Sequence, residues 1–288
     1  MTICLTYDGS VNGDWIAHYA VALAAADAAS GRRLRVLHVE TTDISGPPLA
    51  AKFDNIRRLC ARAGIEAEIE ILPMRDGVFG GLRAALPGDP ETLVVCGLRA
   101  KGGRRGFLHG TVSERLLNAG QGTVVALRVV QPGLLGVVRR LLLPVAGKLP
   151  GRRSGHRLLN LLAPGLSDLH LLHVVEVSTA AFRRLDAERA GALRHAGQVH
   201  LDREAAEITA GIDLAHVRRE AAVKVSDDWV REVLIDAARL RADLIALEAP
   251  RASLARRITF GDPLEVILRD APCDVAVYRG PDGGEGAL

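Results

Sequence analysis

Short apolar runs recur along the chain, and between them lie longer stretches in which apolar residues return at helical spacing. Leu34–Val39, Thr92–Gly97 and Thr123–Arg128 are compact and rich in aliphatic residues, as strands buried on both faces would be. Glu66–Leu72 alternates polar and apolar positions and stops at Pro73, which predicts a further strand. Residues 11–30 carry Val11, Trp15, Ala17, Val21 and Leu23 along a helix closed by Gly31, and residues 50–63 form a second helix closed by Gly64. Another helix spans 111–119, with Gly110-Thr111 at its mouth and Gly120 at its close. Strands that alternate with helices are βαβ units, so the expected fold class is α/β with doubly wound parallel sheets.

The second half repeats the first. Ile3 to Ser10 matches Leu141 to Lys148, and Leu34–Val39 has its counterpart in Leu169–Val174. Thr92–Gly97 corresponds to Asp243–Glu248, and Thr123–Arg128 to Asp274–Arg279. The offset between partners grows along the chain because the second half is longer around Val177 to Ile212. With 288 residues the chain can hold two such units. The expectation is a tandem duplication, residues 1–131 and 137–280, each half a five-stranded parallel sheet. Gln131-Pro132-Gly133 is the expected connection, and so short a linker keeps the halves close.

Composition narrows the function mainly by exclusion. Basic and acidic residues number 37 and 34, about half of the arginines come as scattered doublets, and aromatics are 3%, so no basic stripe with stacking rings offers itself to nucleic acid. Cys4, Cys60, Cys96 and Cys273 lack CxxC spacing and sit in or beside apolar runs, which reads as buried small hydrophobes in a reducing compartment. Asp8 within the first ten residues, without a basic region, does not read as a signal peptide. The most apolar stretch, Gly133 to Val145, is interrupted by Arg139 and Arg140 and is too short for about 30 Å of hydrocarbon. We therefore expect a soluble, cytoplasmic protein without membrane insertion.

Two loops at the carboxyl ends of strands carry candidate chemistry, where open α/β sheets hold their ligands. One is Tyr7-Asp8-Gly9-Ser10, in which Asp8 is placed to accept hydrogen bonds from a base or ribose. The other runs from Gly97 to Ser113 and holds Gly102, Gly103, Gly106 and Gly110, with Arg99, Lys101, Arg104 and Arg105 among them. Glycines allow close backbone approach, and the start of the following helix, with Thr111 and Ser113, supplies N–H and hydroxyl donors to an anion. The loop is a phosphate cradle without the Walker pattern. The alternative is a solvated loop whose arginines are surface charges.

These residues resemble the universal stress proteins in their tandem two-domain form. The family's nucleotide-binding members end the first strand on Asp and carry G-2x-G-9x-G-(S/T) after the fourth. Gly97, Ala100 and Gly110-Thr111 keep that spacing, continued by Val112-Ser113, and Ala100 stands where the family usually has Gly. An added methyl at a position needing positive φ would cost ~1 kcal/mol of affinity or more. The resemblance implies a Rossmann-like, adenine nucleotide alpha hydrolase-like fold and ATP, with or without Mg²⁺, bound in the first domain. It implies Thr6, Tyr7, Asp8 and Val39 around base and ribose, and Cys96, Gly97, Arg99, Ala100, Gly110, Thr111, Val112 and Ser113 toward the phosphates. Tyr7 replaces a small residue there and would either cover the adenine or crowd it. The resemblance also implies pairing of the last strands, here Thr123–Arg128 with Asp274–Arg279 inside one chain as a pseudo-dimer. Association of two such chains stays open.

In the second half the same positions lose their chemistry. Asp8 becomes Ala146, Gly97 becomes Glu248, Ala100 becomes Arg251, and Gly110-Thr111 becomes Gly261-Asp262, with Pro250 in the turn. A carboxylate ~4 Å from a phosphate charge costs about 4 kcal/mol at an effective dielectric of 20. Arg251, Arg256 and Arg257 are expected to pair with Glu248 and Asp262, and one nucleotide per chain is expected. His195, His200 and His216, with Asp202 and Glu204 between them, lack helical metal spacing and read as solvated helix faces. His38 and His173 hold matching places in their strands, which indicates packing. His109, beside Gly110, is the one histidine that could touch a phosphate, and the alternative, a place on the loop surface, is the expectation.

The leading function is a stress-response regulator that binds ATP and changes its contacts with a protein partner. The competing readings are slow ATP hydrolysis or phosphoryl transfer, and a nucleotide-free scaffold. Glu114 is the nearest carboxylate for Mg²⁺ or water, and in a first helical turn it reads rather as a dipole partner.

Overall fold

The computed structural model describes residues 2–27, 31–42, 44–98, 106–108, 110–120, 122–145, 152–249 and 263–280. The first half runs β1 (Thr2–Thr6), α1 (Val11–Ala26), β2 (Arg33–Val39), α2 (Gly46–Arg62), β3 (Glu66–Leu72), α3 (Gly77–Ala85), β4 (Thr92–Gly97), α4 (Val112–Asn118) and β5 (Thr123–Arg128). The second runs β6 (Arg140–Pro144), α5 (Arg152–Leu162), β7 (Asp168–Glu176), α6 (Thr179–Phe182), α7 (Ala187–Thr209), β8 (Arg218–Ser226), α8 (Trp229–Arg239), β9 (Leu244–Glu248), α9 (Pro263–Asp270) and β10 (Asp274–Arg279).

All ten strands form one sheet in the order β3-β2-β1-β4-β5-β10-β9-β6-β7-β8. Pairing is parallel throughout except at the seam, where β5 and β10 run antiparallel with Arg128 opposite Val275 and Val124 opposite Arg279. Read inward from its own edge, each half therefore has the same strand plan. Two cores cover the two faces, and each extends through both halves. One gathers Ile3, Ile16, Phe53, Val125, Leu141, Leu158, Leu201 and Tyr278 under α1, α2, α5 and α7. The other gathers Cys4, Leu82, Cys96, Leu117, Leu142, Val233, Ile267 and Val277 under α3, α4, α8 and α9.

Two buried aspartates fasten the connection between the halves. Asp274 accepts from Val130 N–H at 2.6 Å and Gln131 N–H at 2.8 Å, and its other oxygen accepts from the Tyr19 hydroxyl at 2.5 Å. Asp243 accepts from Arg139 N–H at 3.0 Å and Arg140 N–H at 2.8 Å. These bonds replace water for amides that no strand pairs, so the linker leaves β5 and enters β6 along fixed paths.

Several boundaries differ from the sequence expectation. The helix expected over 11–30 ends at Ala26, with Asp27 as its C-cap. The helix expected over 50–63 begins earlier, at Gly46, because Pro47 and Pro48 fit its first turn. The helix expected over 111–119 has Thr111 and Ala119 as its caps. The extra length of the second half is chiefly α7, of 23 residues. His200 departs from a solvated helix face: its ring lies 4.8 Å from that of His173, while His195 on the same helix is exposed. His216 sits in a turn, with Nε2 3.1 Å from the Ala163 carbonyl.

Candidate functional site

The strand order reverses direction between β1 and β4, and a cleft of about 280 Å³ opens there at the carboxyl ends of the strands. Thr6, Tyr7 and Asp8 follow β1, His38, Val39 and Thr41 close β2, and Cys96 and Gly97 close β4. Thr111, Val112 and Ser113 enter from α4. Nine of the twelve positions expected from the sequence thus line one cleft. Gly110 lies beside it, in the chain just before Thr111, and Arg99 and Ala100 lie outside the described residues, as do Lys101 to Arg105 and His109.

Sequence reasoning missed the walls supplied by helices: Asn12, Gly13 and Ile16 of α1, and Val78 and Leu82 of α3. Asn12 and Ile16 are one helical turn apart and cross the end of β4, and they crowd the place a side chain at Gly97 would need. A Cβ there would lie 2.5 Å from Ile16 Cδ1 and 3.1 Å from Asn12 Nδ2. The helical period of α1 was a usable signal for this face; α3 gave none, because Gly77, Gly80 and Gly81 interrupt its pattern.

Local hydrogen bonds set the rim. Asp8 accepts from Ser10 N–H at 3.0 Å and from the Ser10 hydroxyl at 2.6 Å, and Ser10 Oγ in turn caps α1 by accepting from Gly13 N–H. Asp8 is thereby held at the exposed mouth while α1 starts beneath it. Tyr7 borders the cleft. Its ring is buried beside Phe53, and its hydroxyl donates at 2.5 Å to Asp14, which also pairs with Lys52. Burial, reinforced by the Asp14 carboxylate, drives the Tyr7 hydroxyl pKa well up, so it stays a donor at physiological pH.

At the α4 end Thr111 Oγ1 donates to the Leu108 carbonyl at 2.6 Å and accepts from Glu114 N–H at 3.1 Å. Glu114 reaches back to accept from Gly110 N–H at 2.7 Å, which completes a reciprocal cap and commits the candidate Mg²⁺ carboxylate to the protein's own backbone. Ser113 Oγ donates to the Gly97 carbonyl at 2.6 Å. Burial pushes the Cys96 thiol up to about 12, which removes it from nucleophilic chemistry.

The donor set suits a nucleoside more closely than a metal. Val39, Val78, Leu82 and Ile16 offer apolar walls to a planar base, and Asp8, Asn12 and Thr41 offer polar atoms at its edge. Among the described residues no group of three or more His, Cys, Asp or Glu is placed to hold a metal ion. No helix among them is long and apolar enough to cross a membrane.

Residues 138–279 match the model of the universal stress protein family. The second half of the chain is a universal stress protein domain. Solved structures extend the likeness to the whole length. A universal stress protein from Archaeoglobus fulgidus DSM 4304 superposes with a TM-score of 0.59 at 15% identity, covering 98% of this chain and 97% of that one. A functionally unknown protein from Pseudomonas aeruginosa PAO1 gives 0.58 at 14% identity, over 98% and 93%. The cytoplasmic domain of a prokaryotic cation chloride cotransporter gives 0.53 at 12%, over 99% and 96%. At such identities the likeness is one of fold. No curated protein sequence matches. In the universal stress protein domain itself, Glu248 ends β9, whereas Ala146, Pro250, Arg251, Arg256, Arg257, Gly261 and Asp262 lie outside the described residues.

Proposed function

We propose that the whole chain is a tandem universal stress protein whose first half binds one adenine nucleotide, ATP with or without Mg²⁺, and that its contacts with a protein partner change on occupancy. The observation that carries this reading is the convergence of Asp8, Val39, Gly97, Thr111, Val112 and Ser113 on a single cleft at the switch point. Asp8 would accept from the base or ribose, and Val39 with Leu82 would bracket the base. Gly97 and the Thr111–Ser113 segment would border the phosphates. To engage them, the Thr111 and Ser113 hydroxyls would have to leave the Leu108 and Gly97 carbonyls.

That exchange also supports a second reading, a nucleotide-free scaffold. Its specific support is that both hydroxyls and the Gly110 amide already have protein partners. Native mass spectrometry of the purified chain, before and after Mg-ATP, separates the two. One nucleotide per chain upholds the first reading. Two would require a working site in the second half, and none at millimolar ATP would leave the scaffold. Release of ADP over hours would add slow hydrolysis to the binding function.

A further inference from the structure

The most distinctive contact across the halves is a carboxylate on two consecutive amides. Glu265, in the first turn of α9, accepts from Phe107 N–H through Oε2 and from Leu108 N–H through Oε1, each at 2.8 Å. Charge-assisted bonds of this kind are among the stronger ones a protein makes. Neighbouring amides that converge in this way form a concavity for an anion, and here the anion is a side chain of the other half.

The contact continues into the cleft wall. Leu108 is fully buried, and its carbonyl accepts from both Thr111 N–H at 3.0 Å and Thr111 Oγ1 at 2.6 Å. Thr111 caps α4 and lines the cleft with Val112 and Ser113. A short hydrogen-bonded path therefore leads from α9 to the segment assigned to the phosphates. The repeat makes the arrangement informative. Glu265 holds in α9 the place Glu114 holds in α4, yet Glu114 folds back onto Gly110 of its own half. Glu265 instead reaches two amides of the other half, which capping its own helix does not require.

We propose that Glu265 is a positioning residue supplied by the second half to the nucleotide cleft of the first, so that occupancy of the cleft and the seating of α9 are coupled. This rests on the nucleotide reading above. Coupling of binding equilibria is reciprocal: whatever Glu265 adds to nucleotide affinity, a bound nucleotide returns as a firmer hold on α9. Buried Leu264, Ile267 and Leu268 root that helix in the core shared by both halves, which gives occupancy a route to the universal stress protein domain.

The test uses the full chain and its Glu265→Ala and Glu265→Gln variants. Amide hydrogen exchange is followed at Phe107 and Leu108, Mg-ATP affinity by calorimetry, and global stability by thermal melting. Glu265→Ala should speed exchange of both amides and weaken Mg-ATP binding by about ten-fold each, at little change in melting temperature. Glu265→Gln, which keeps one acceptor oxygen, should fall between; it carries the test alone should the alanine variant not fold. In the parent, Mg-ATP should slow exchange in residues 263–270, and in Glu265→Ala this protection should be lost. Unchanged exchange at Phe107 and Leu108, or faster exchange with unchanged affinity, overturns the proposal. A parent chain that binds no Mg-ATP sinks the nucleotide reading and the coupling with it, while the exchange difference still decides whether Glu265 positions the loop.

Discussion

The Nδ1–H of His38 donates to the main-chain carbonyl of Tyr7 at 2.8 Å, directly before the cleft aspartate. His173 repeats the bond to Val145 at the same distance, so both halves tie the exit of their central strand to the next strand in the same way. The carbonyl can only accept, which places the ring proton on Nδ1. His38 is also buried, edge-on to Phe53 with ring centroids 5.8 Å apart. His38→Ala should cost about 3 kcal/mol, from the lost ring and the orphaned carbonyl. His38→Asn can still donate and should cost roughly half as much. Urea unfolding of the two variants measures this, and equal losses would show that the ring volume, not the bond, is what matters.

Thr111 separates capping from ligand binding. Thr111→Asp keeps an oxygen for Glu114 N–H, since Asp caps a helix as well as Thr does, but sets a negative charge in the cleft wall. The second half has Asp262 at the matching position. The variant should melt within a few degrees of the parent while losing Mg-ATP affinity by two orders of magnitude or more, given ~4 kcal/mol of repulsion at close range. Parent-like affinity by calorimetry would move the phosphates elsewhere.

How much of this was legible in the sequence depends on the range of the forces involved. β4, β5 and β10 begin and end where their aliphatic pattern predicts, because a strand buried in a parallel sheet must be apolar over its own length, and β3, at the sheet edge, is read instead from its alternation and Pro73. β8 is harder to read: it is an edge strand opening on Arg218, Arg219 and Glu220, all exposed. α3 escapes because its glycines serve packing. A Cβ on Gly80 would fall 1.8 Å from the Arg75 carbonyl oxygen, so the helix can turn tightly over its own approach only without one. The cleft's strand-end residues follow from topology, whereas Asn12, Ile16 and Leu82 belong to it through packing between elements. Glu265 was beyond reach of any local pattern, because its partners lie in the other half of the chain.

Asp274 is the staple whose loss should be felt most widely. Removing its carboxylate strands the amides of Val130 and Gln131 and the hydroxyl of Tyr19 at the junction of the halves. Asp274→Ala should destabilise the chain by about 3 kcal/mol or more, with several buried donors unsatisfied. Tyr19→Phe removes a single donor and should cost about 1 kcal/mol. A double-mutant cycle in urea tests whether they act together. Strictly additive losses would mean the 2.5 Å contact carries no coupling of its own.

Alkaline pH offers a test of the core itself. Burial pushes the thiols of Cys4 and Cys60 up to about 11, and those of Cys96 and Cys273 up to about 12. An unfolded thiol ionises near ~8.5. The folded pKa is the raised one, so the contribution to stability is complete below about pH 8.5 and is lost as pH climbs toward the folded values. Each thiol then takes away about 1.4 kcal/mol per pH unit, because the unfolded chain releases a proton that the folded chain retains. Tyr7, Tyr19 and Tyr278 are shifted upward by burial as well and add to the slope above about pH 10. The melting temperature should be level between pH 7 and 8 and fall steeply from pH 9. A thiol reagent at pH 8 should label no cysteine in the native chain and all four in urea. Rapid labelling of Cys96 in the native chain would mean that the cleft floor opens to solvent, contrary to its burial beneath Ser113 and Gly97.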